Sequence, residues 1–382
     1  MLFATIALSI DAMLPALPEI AATLSPGAPN AAQLVVTSFV LGMGIGTLFV
    51  GPLSDAFGRK RVIMIGSGIF ALAALACYIA PSLEMLLLAR LVQGLGVSAP
   101  RAVSMAMVRD LFRGREMAQV MSFIMMVFTL VPAVAPLMGQ GIIALADWRA
   151  IFLAYVVFSA ITMLWLGLRQ PETLPLANRR PLALGTLWTA TKSLAQHRVV
   201  VVSILIQSLV LAALFATLSS MQGIFEIRFD RGASFPIWFG VIAIGSLWGS
   251  VLNSRVVMGL GMRRVVAGIL TGQLALTLVT LLAVASGLMP EALAFPAHIL
   301  WSIGLFGMMG LTMGNLNALA MEPVGHIAGL ASSVILSIST VVSVLLAIPV
   351  GLAFDGTLVP LLTGVSVLLG AACLALRYGL PR

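Results

Sequence analysis

Twelve long apolar segments dominate the chain, and they restrict its fold more than any other feature. Each has about the length that a helix needs to cross the hydrocarbon core of a bilayer, roughly 20 residues. The segments form two sets of six, separated by one polar stretch at residues 169–198. Charged residues make up only 9% of the chain, whereas a soluble domain carries about 25%. We therefore expect an all-α integral membrane protein with twelve transmembrane helices in two pseudo-symmetric six-helix bundles.

The polar stretch is the natural boundary between two related halves. We predict an N-terminal bundle at residues 1–168, a cytosolic linker at 169–198 and a C-terminal bundle at 199–382. The junctions that follow the second and the eighth segment carry a weak internal repeat. The repeated positions are Gly51, Asp55, Gly58 and Arg59 in the first half, and Gly249, Asn253, Gly261 and Arg263 in the second. Two such halves are a known plan of transporters, with the substrate site near the membrane midplane between them.

The basic residues indicate the orientation of the helices. With the N-terminus in the cytosol, 16 of the 21 Lys and Arg residues fall on the cytosolic side and 3 fall outside, as the positive-inside rule requires. We therefore expect both termini in the cytosol. The net charge of +8 is then explained by the orientation of the helices in the membrane. We expect no nucleic-acid partner, because the basic residues form no stripe with interleaved aromatic residues.

The first apolar segment starts at Met1 itself. It has no basic flank, and no small-residue cleavage site precedes Asp11, so we expect no cleaved signal peptide. A first span usually follows a short cytosolic leader, and the sequence leaves open whether residues precede Met1.

Two ionisable residues are predicted deep in the bilayer, Asp11 in the first helix and Arg90 in the fourth. With the rise of an α-helix, Asp11 lies about 12 Å and Arg90 about 9 Å below the outer helix ends. Ions at such depth are costly, so both residues are candidates for function. A carboxylate that alternates between apolar surroundings and a cation takes up and releases a proton, which is the chemistry of proton coupling. A static ion pair remains open, as does a late helix start that places Asp11 near the interface.

The run GPLSDAFGRKR at residues 51–61 is the most specific signal in the chain. Asp55, at the C-terminal end of the second helix, opposes the dipole of that helix and needs a cation or another helix N-terminus nearby. Gly51 and Gly58 permit close approach and a turn, and Arg59 meets the anionic inner leaflet. The run predicts either a conformational latch or a charged turn that only sets topology.

The predicted fifth helix carries the run VPAVAPLMGQG, which contains Pro132, Pro136 and Gly139. Prolines kink a spanning helix and free carbonyl groups that need partners, and glycines permit close helix contact. The neighbouring Gln140 is either a polar cavity residue or a solvated residue at the outer helix end.

Several residues of the second half are candidates for a substrate cavity. Gln207 in the seventh helix and Asn315 and Asn317 in the tenth are suited to hydrogen-bond a substrate, and interhelical bonding explains each equally well. Met308 belongs to a set of methionines that can form an adaptable apolar cavity, although ordinary packing is the simpler explanation among 21 methionines. His298 is placed in or near a loop. The chain carries no P-loop, nucleophile elbow or metal-ligand cluster, so we expect neither an enzyme nor a metal or cofactor.

These motifs resemble those of the major facilitator superfamily over essentially the whole chain. The run at 51–61 is similar to the cytosolic loop signature of the superfamily, and RLVQGLG, beginning at Arg90, resembles the helix 4 signature of its proton-coupled members. Further runs are similar to the drug:proton antiporter branch that includes bicyclomycin- and chloramphenicol-resistance proteins. They are SIDAMLPALPEIA around Asp11, RAVSMAMVRDLF from Arg101, WRAIF from Trp148 and AGLASS from Ala328.

The resemblance implies a proton-coupled exporter of small, mainly apolar drugs that works by alternating access. It further implies a monomer in the bacterial inner membrane, with a drug substrate and protons as its partners. Asp11 and Arg90 would line the central cavity and couple protons to drug, and Asp55 and Arg59 would latch the cytosolic side.

The resemblance extends to the antiporter motif of helix 5. Ala135 and Gln140 depart from it, since the general pattern has glycine at both positions, and this weakens the inference of export from that helix alone. A single deep carboxylate favours neutral or weakly charged substrates over dications. Two alternatives stay open: an uptake symporter for a small metabolite, and a membrane receptor or scaffold that does not transport.

Overall fold

The computed structural model describes residues 2–179, 181–182 and 184–379, and within these ranges the chain forms helices and no strand. It divides into two compact units, Met1–Thr189 and Ala190–Arg382. The fifteen α-helices are α1 (Ala4–Asp11), α2 (Leu17–Leu24), α3 (Leu34–Phe57), α4 (Arg59–Tyr78), α5 (Leu83–Leu111), α6 (Gly114–Leu145), α7 (Ala150–Arg169), α8 (Leu184–Gln196), α9 (Arg198–Gly223), α10 (Phe235–Gly245), α11 (Trp248–Leu260), α12 (Met262–Ala285), α13 (Glu291–Met321), α14 (Ala328–Leu352) and α15 (Val359–Gly379).

The helices account for the predicted membrane spans. Eleven helical stretches of the described chain are long and apolar enough to cross a membrane, and in two of them, Ala4–Leu24 and Gly232–Leu260, the span is divided between two α-helices. The 32-residue helix α6 corresponds to the remaining span, the fifth. The predicted all-α membrane fold is therefore confirmed, and the first and eighth spans differ from the prediction because each is interrupted.

The first span is broken directly after Asp11. Helix α1 ends at this residue, and a short 3₁₀ helix, Leu14–Ala16, connects it to α2. Pro15 explains the break, because a proline supplies no amide hydrogen to the carbonyl four residues earlier, which here belongs to Asp11. Asp11 therefore lies at the joint of the first span, which is the connection between α1 and α2 at residues 12–16.

Small residues bring α5 close to both α3 and α4. A side chain on Gly42 of α3 would collide with the backbone of Leu91, and one on Gly94 of α5 would collide with the backbone of Phe39. Gly66 of α4 contacts α5 in the same way. Glycine contacts of this kind permit helices in a membrane to pack backbone against backbone. They hold Arg90 of α5 beside α3.

Single glycines connect α3 to α4 and α11 to α12. Gly58 has φ 101° and ψ 151°, and Gly261 has φ 81° and ψ 149°. Side chains are strongly disfavoured at such positive φ values, so both turns require glycine. The weak sequence repeat therefore corresponds to one backbone turn that occurs in each unit.

The segment predicted as a linker, residues 169–198, contains the 13-residue helix α8. Leu187 and Leu194 of this helix are buried, whereas Trp188 is exposed. The division between the two compact units falls inside α8.

Candidate functional site

Asp11 is buried at the joint of the first span, with 6% of its surface exposed. Within the described residues its carboxylate takes part in no ion pair or hydrogen bond. A buried carboxylate without a hydrogen-bonding or charged partner is costly in its ionised form. The site therefore favours a neutral carboxylic acid in the conformation described.

Arg90 is completely buried in α5. Its Nε donates a hydrogen bond to the Val35 carbonyl at 3.1 Å, its Nη1 to Gln93 Oε1 at 2.6 Å and its Nη2 to the Ser9 carbonyl at 3.0 Å. Its guanidinium carbon lies 4.3 Å from the centre of the Phe39 ring, a cation–π contact. Neutral acceptors from three helices therefore hold this charge.

The static ion pair that the sequence left open between Asp11 and Arg90 is not formed. Arg90 instead bonds the carbonyl of Ser9, two residues before Asp11. The two residues thus lie in one region of the first unit, and their charges remain separate.

Gln93 and Tyr155 also belong to this region, and the sequence reasoning missed both. Gln93 lies one helical turn after Arg90, and its Nε2 has no partner within the described structure. The Tyr155 hydroxyl donates to the Leu8 carbonyl at 3.2 Å and lies 3.5 Å from the Ser9 carbonyl that Arg90 also bonds. The spacing within RLVQGLG could have identified Gln93, whereas no local signal points to Tyr155.

Gly139 of α6 packs directly against the joint. A Cβ atom at this position would collide with the carbonyl group of Ala12, the residue after Asp11. Pro132 and Pro136 both lie inside the same helix. Gly139 therefore allows α6 to approach the break closely, while a Cβ at Gly141 would meet no atom within 4 Å.

The run at 51–61 forms a charged network at the junction of α3 and α4. Arg59 pairs with Asp55 at 2.5 Å and with Asp110 of α5 at 3.3 Å. Arg59 Nη1 also donates to Ser54 Oγ at 2.6 Å. Arg59 thus supplies the cation that Asp55 needs at its helix end. Gly58 provides the turn that brings the two together.

Glu172 completes this network from the segment that follows α7. Its carboxylate accepts the backbone amides of Arg59 at 2.8 Å and Lys60 at 3.2 Å, which are the first two residues of α4. A helix N-terminus has free amides that a carboxylate satisfies well. Since Glu172 lies 113 residues from Arg59 in the sequence, the motif at 51–61 alone gave no indication of it.

We expect that removing the Glu172 carboxylate destabilises the first unit. Glu172→Ala should lower the free energy of unfolding by about 1 kcal/mol, the usual cost of losing a helix N-cap. Glu172→Gln should lower the free energy of unfolding by less than Glu172→Ala does, because the glutamine amide oxygen still accepts one hydrogen bond. Thermal unfolding of the purified chain in detergent measures both effects, and wild-type stability in the two variants would contradict the capping role.

The candidate cavity residues of the second half lie in different environments. Gln207 is buried in α9, and its Nε2 has no partner in the described part of the chain. Met308 is fully buried in α13. The Asn315 amide donates to Asn253 Oδ1 of α11 at 2.8 Å, which is the interhelical bonding that the sequence left open. Asn317 is exposed.

The prediction for His298 is wrong. This residue lies inside α13 with 2% of its surface exposed, and its ring stacks on Trp301 with 5.7 Å between the ring centres. Trp301 belongs to the same helix, whereas Phe225 and Phe229, whose rings also contact His298, follow α9, and the local sequence does not reveal these two contacts.

Comparisons with known proteins agree with this fold. The family model described as Major Facilitator Superfamily matches residues 1–376. An uncharacterized MFS-type transporter, YdgK, of Bacillus subtilis (strain 168) is 32% identical over 334 residues, which cover 86% of this chain and 81% of the relative. A bicyclomycin resistance protein homolog of Haemophilus influenzae is 34% identical over 256 residues, which cover 66% of this chain and 63% of the relative.

The crystal structure of a D-xylose-proton symporter is similar to the whole chain, with a TM-score of 0.79 and coverage of 100% of this chain and 96% of the symporter. At 14% identity this similarity concerns the fold alone. The family model covers nearly the entire sequence, and the relatives of this chain include proteins named for drug resistance. The chain therefore belongs to the Major Facilitator Superfamily of multi-pass membrane transporters, in the branch that contains drug-resistance proteins.

Proposed function

We propose that this chain is a proton-coupled secondary transporter that exports small, mainly apolar drugs by alternating access. The observation that carries the proposal is the position of Asp11, a buried carboxylate at the break of a membrane span that forms no ion pair with any described residue. Broken helices are where transporters of this kind bind substrates and ions. The relatives named for bicyclomycin and chloramphenicol resistance favour export.

The coupling chemistry follows from the separation of Asp11 and Arg90. While Arg90 is bonded to the carbonyls of Ser9 and Val35, no cation in the described part of the chain pairs with Asp11, and the carboxyl group retains its proton. When a conformational change releases Arg90 from these carbonyls, its charge stabilises the carboxylate and the proton leaves. Proton uptake and release are thereby linked to the two states of the transporter.

The substrate class follows from the same charges. A neutral or weakly charged drug adds no ion to the apolar interior, and one deep carboxylate can balance at most one positive charge. In the second unit, we propose Gln207 and Met308 as substrate contacts, because the Gln207 amide nitrogen bonds no described residue and Met308 has an adaptable apolar side chain. Asn315 already bonds Asn253, and Asn317 remains a candidate by its exposure alone.

We further propose that the chain is a monomer in the bacterial inner membrane with both termini in the cytosol. The distribution of basic residues supports this orientation. The network around Arg59 then lies on the cytosolic side.

Drug flux in everted membrane vesicles tests the direction of transport. With an acidic lumen, an exporter accumulates a phenicol-like drug inside and releases protons, because the lumen corresponds to the cell exterior. An uptake symporter depletes a preloaded substrate from the lumen instead, and a receptor or scaffold changes neither. Vesicles without the chain are the control. A susceptibility panel of neutral, monocationic and dicationic drugs then tests the substrate class, and we expect resistance mainly to neutral ones.

We also propose that Gly51, Asp55, Gly58 and Arg59 form a latch that stabilises one state of the transport cycle. Asp55→Asn should weaken the ion pair with Arg59 and slow alternation between states, while drug binding persists. Transport rates and drug binding in proteoliposomes measure the two effects separately. Glu116→Gln, which neutralises an exposed carboxylate at the start of α6, is the control. An unchanged transport rate in Asp55→Asn would reject the latch.

A further inference from the structure

An open apolar groove lies on the first unit between α3, α4 and α5. It encloses a cavity of about 440 Å³. Phe49 of α3 and Ile65 and Ile69 of α4 line it, and these three side chains are 41%, 54% and 40% exposed. Such a groove on a membrane-spanning helix bundle is accessible to the apolar parts of lipid molecules.

The length of the groove corresponds to one leaflet. Along α3 its walls extend from Gly46 to Phe57, which is about 16 Å at the rise of an α-helix. Half of the hydrocarbon core of a bilayer measures roughly 15 Å. The groove therefore has the length to hold an acyl chain from one leaflet.

Arg61 lines the end of this groove. Of the three consecutive basic residues that begin α4, Arg59 pairs with Asp55 and Asp110, and Lys60 Nζ donates to the Gly167 carbonyl at 2.8 Å. Arg61 is exposed, and among the described residues it has neither an ion-pair nor a hydrogen-bond partner. Its charge is therefore available to an anion outside the protein.

We propose that this groove binds an anionic phospholipid from the leaflet at the Arg61 end, with an acyl chain along α3 and α4 and its phosphate group on Arg61. Apolar lining and a free guanidinium at one end match the two parts of such a lipid. Basic side chains at the membrane surface attract anionic lipids in the same way. A purely apolar occupant would leave Arg61 without a function in binding.

Photo-crosslinking tests the site in the full-length chain. The protein is placed in phosphatidylcholine nanodiscs that contain a trace of phosphatidylglycerol with a diazirine in its acyl chain, and adducts are mapped by mass spectrometry. The measured quantity is the yield on the α4 peptide relative to the α12 peptide of the same molecule, which reports ordinary lipid contact. We expect this ratio to be several-fold higher than with a phosphatidylcholine probe.

Two variants and one control decide the outcome. Arg61→Gln should lower the ratio several-fold by removing the charge, and Ile65→Trp should lower it by filling the groove while the charge remains. Arg115→Gln should leave it unchanged, because Arg115 is an exposed basic residue at the start of α6 that belongs neither to the groove lining nor to the two compared peptides. Equal labelling of α4 and α12, or a ratio unaffected by Arg61→Gln, would overturn the proposal. Lipid binding is measured without transport, so this result is independent of the proposed function.

Discussion

Replacing Asp11 by asparagine should abolish drug-driven proton release and leave the fold and drug binding in place. Asparagine has nearly the shape of aspartic acid, and its side-chain amide neither takes up nor releases a proton near neutral pH. Since Asp11 makes no ion pair in the described structure, the substitution leaves no cation without its partner. The expected proton flux on drug addition is that of empty liposomes, and a pH-sensitive dye inside proteoliposomes measures it.

The matched control for this variant is Glu19→Gln. Glu19 lies in the same membrane span beyond the break, in the first turn of α2, and its side chain is exposed. We expect it to transport as the wild type does. Cells expressing the two variants should differ in the same way in drug susceptibility. Wild-type proton release by Asp11→Asn would show that another group carries the proton.

Gly139→Ala should disrupt the contact between α6 and the joint of the first span. The added methyl group would meet the backbone of Ala12, and backbone atoms cannot move aside as the end of a side chain can. Overpacking typically costs about 1–3 kcal/mol, and we expect the upper part of that range. Because the displaced segment directly follows Asp11, transport should be largely lost even in protein that remains folded.

Gly141→Ala is the matched control, two residues further along the same helix. Its methyl group would enter open space, and alanine favours a helix over glycine by about 1 kcal/mol. The two variants should therefore change stability in opposite directions. Thermal unfolding in detergent and drug transport in proteoliposomes measure both effects, and equal behaviour of the two variants would refute the importance of the Gly139 contact.

The sequence predicted the residues of the site better than their partners. Asp11 and Arg90 were recognisable as ionisable residues inside apolar segments of a chain with few charges. Such residues are costly in a membrane and therefore indicate function. The partners of Arg90 are mostly backbone carbonyls from other helices, and every residue has a carbonyl, so no residue type identifies them. Glu172 was missed for a similar reason, because its partners are backbone amides far away in the sequence.

The membrane class, the number of spans and the family followed from the sequence alone, because hydrophobic length and local motifs are properties of neighbouring residues. The prolines after Asp11 were visible as well, and a proline breaks a helix through its own missing amide hydrogen. Only the tertiary structure decided that Arg90 bonds the Ser9 carbonyl and not Asp11, and that Gly139 packs against Ala12. Such contacts join residues more than 80 positions apart, and they depend on how the helices pack, which no local pattern specifies.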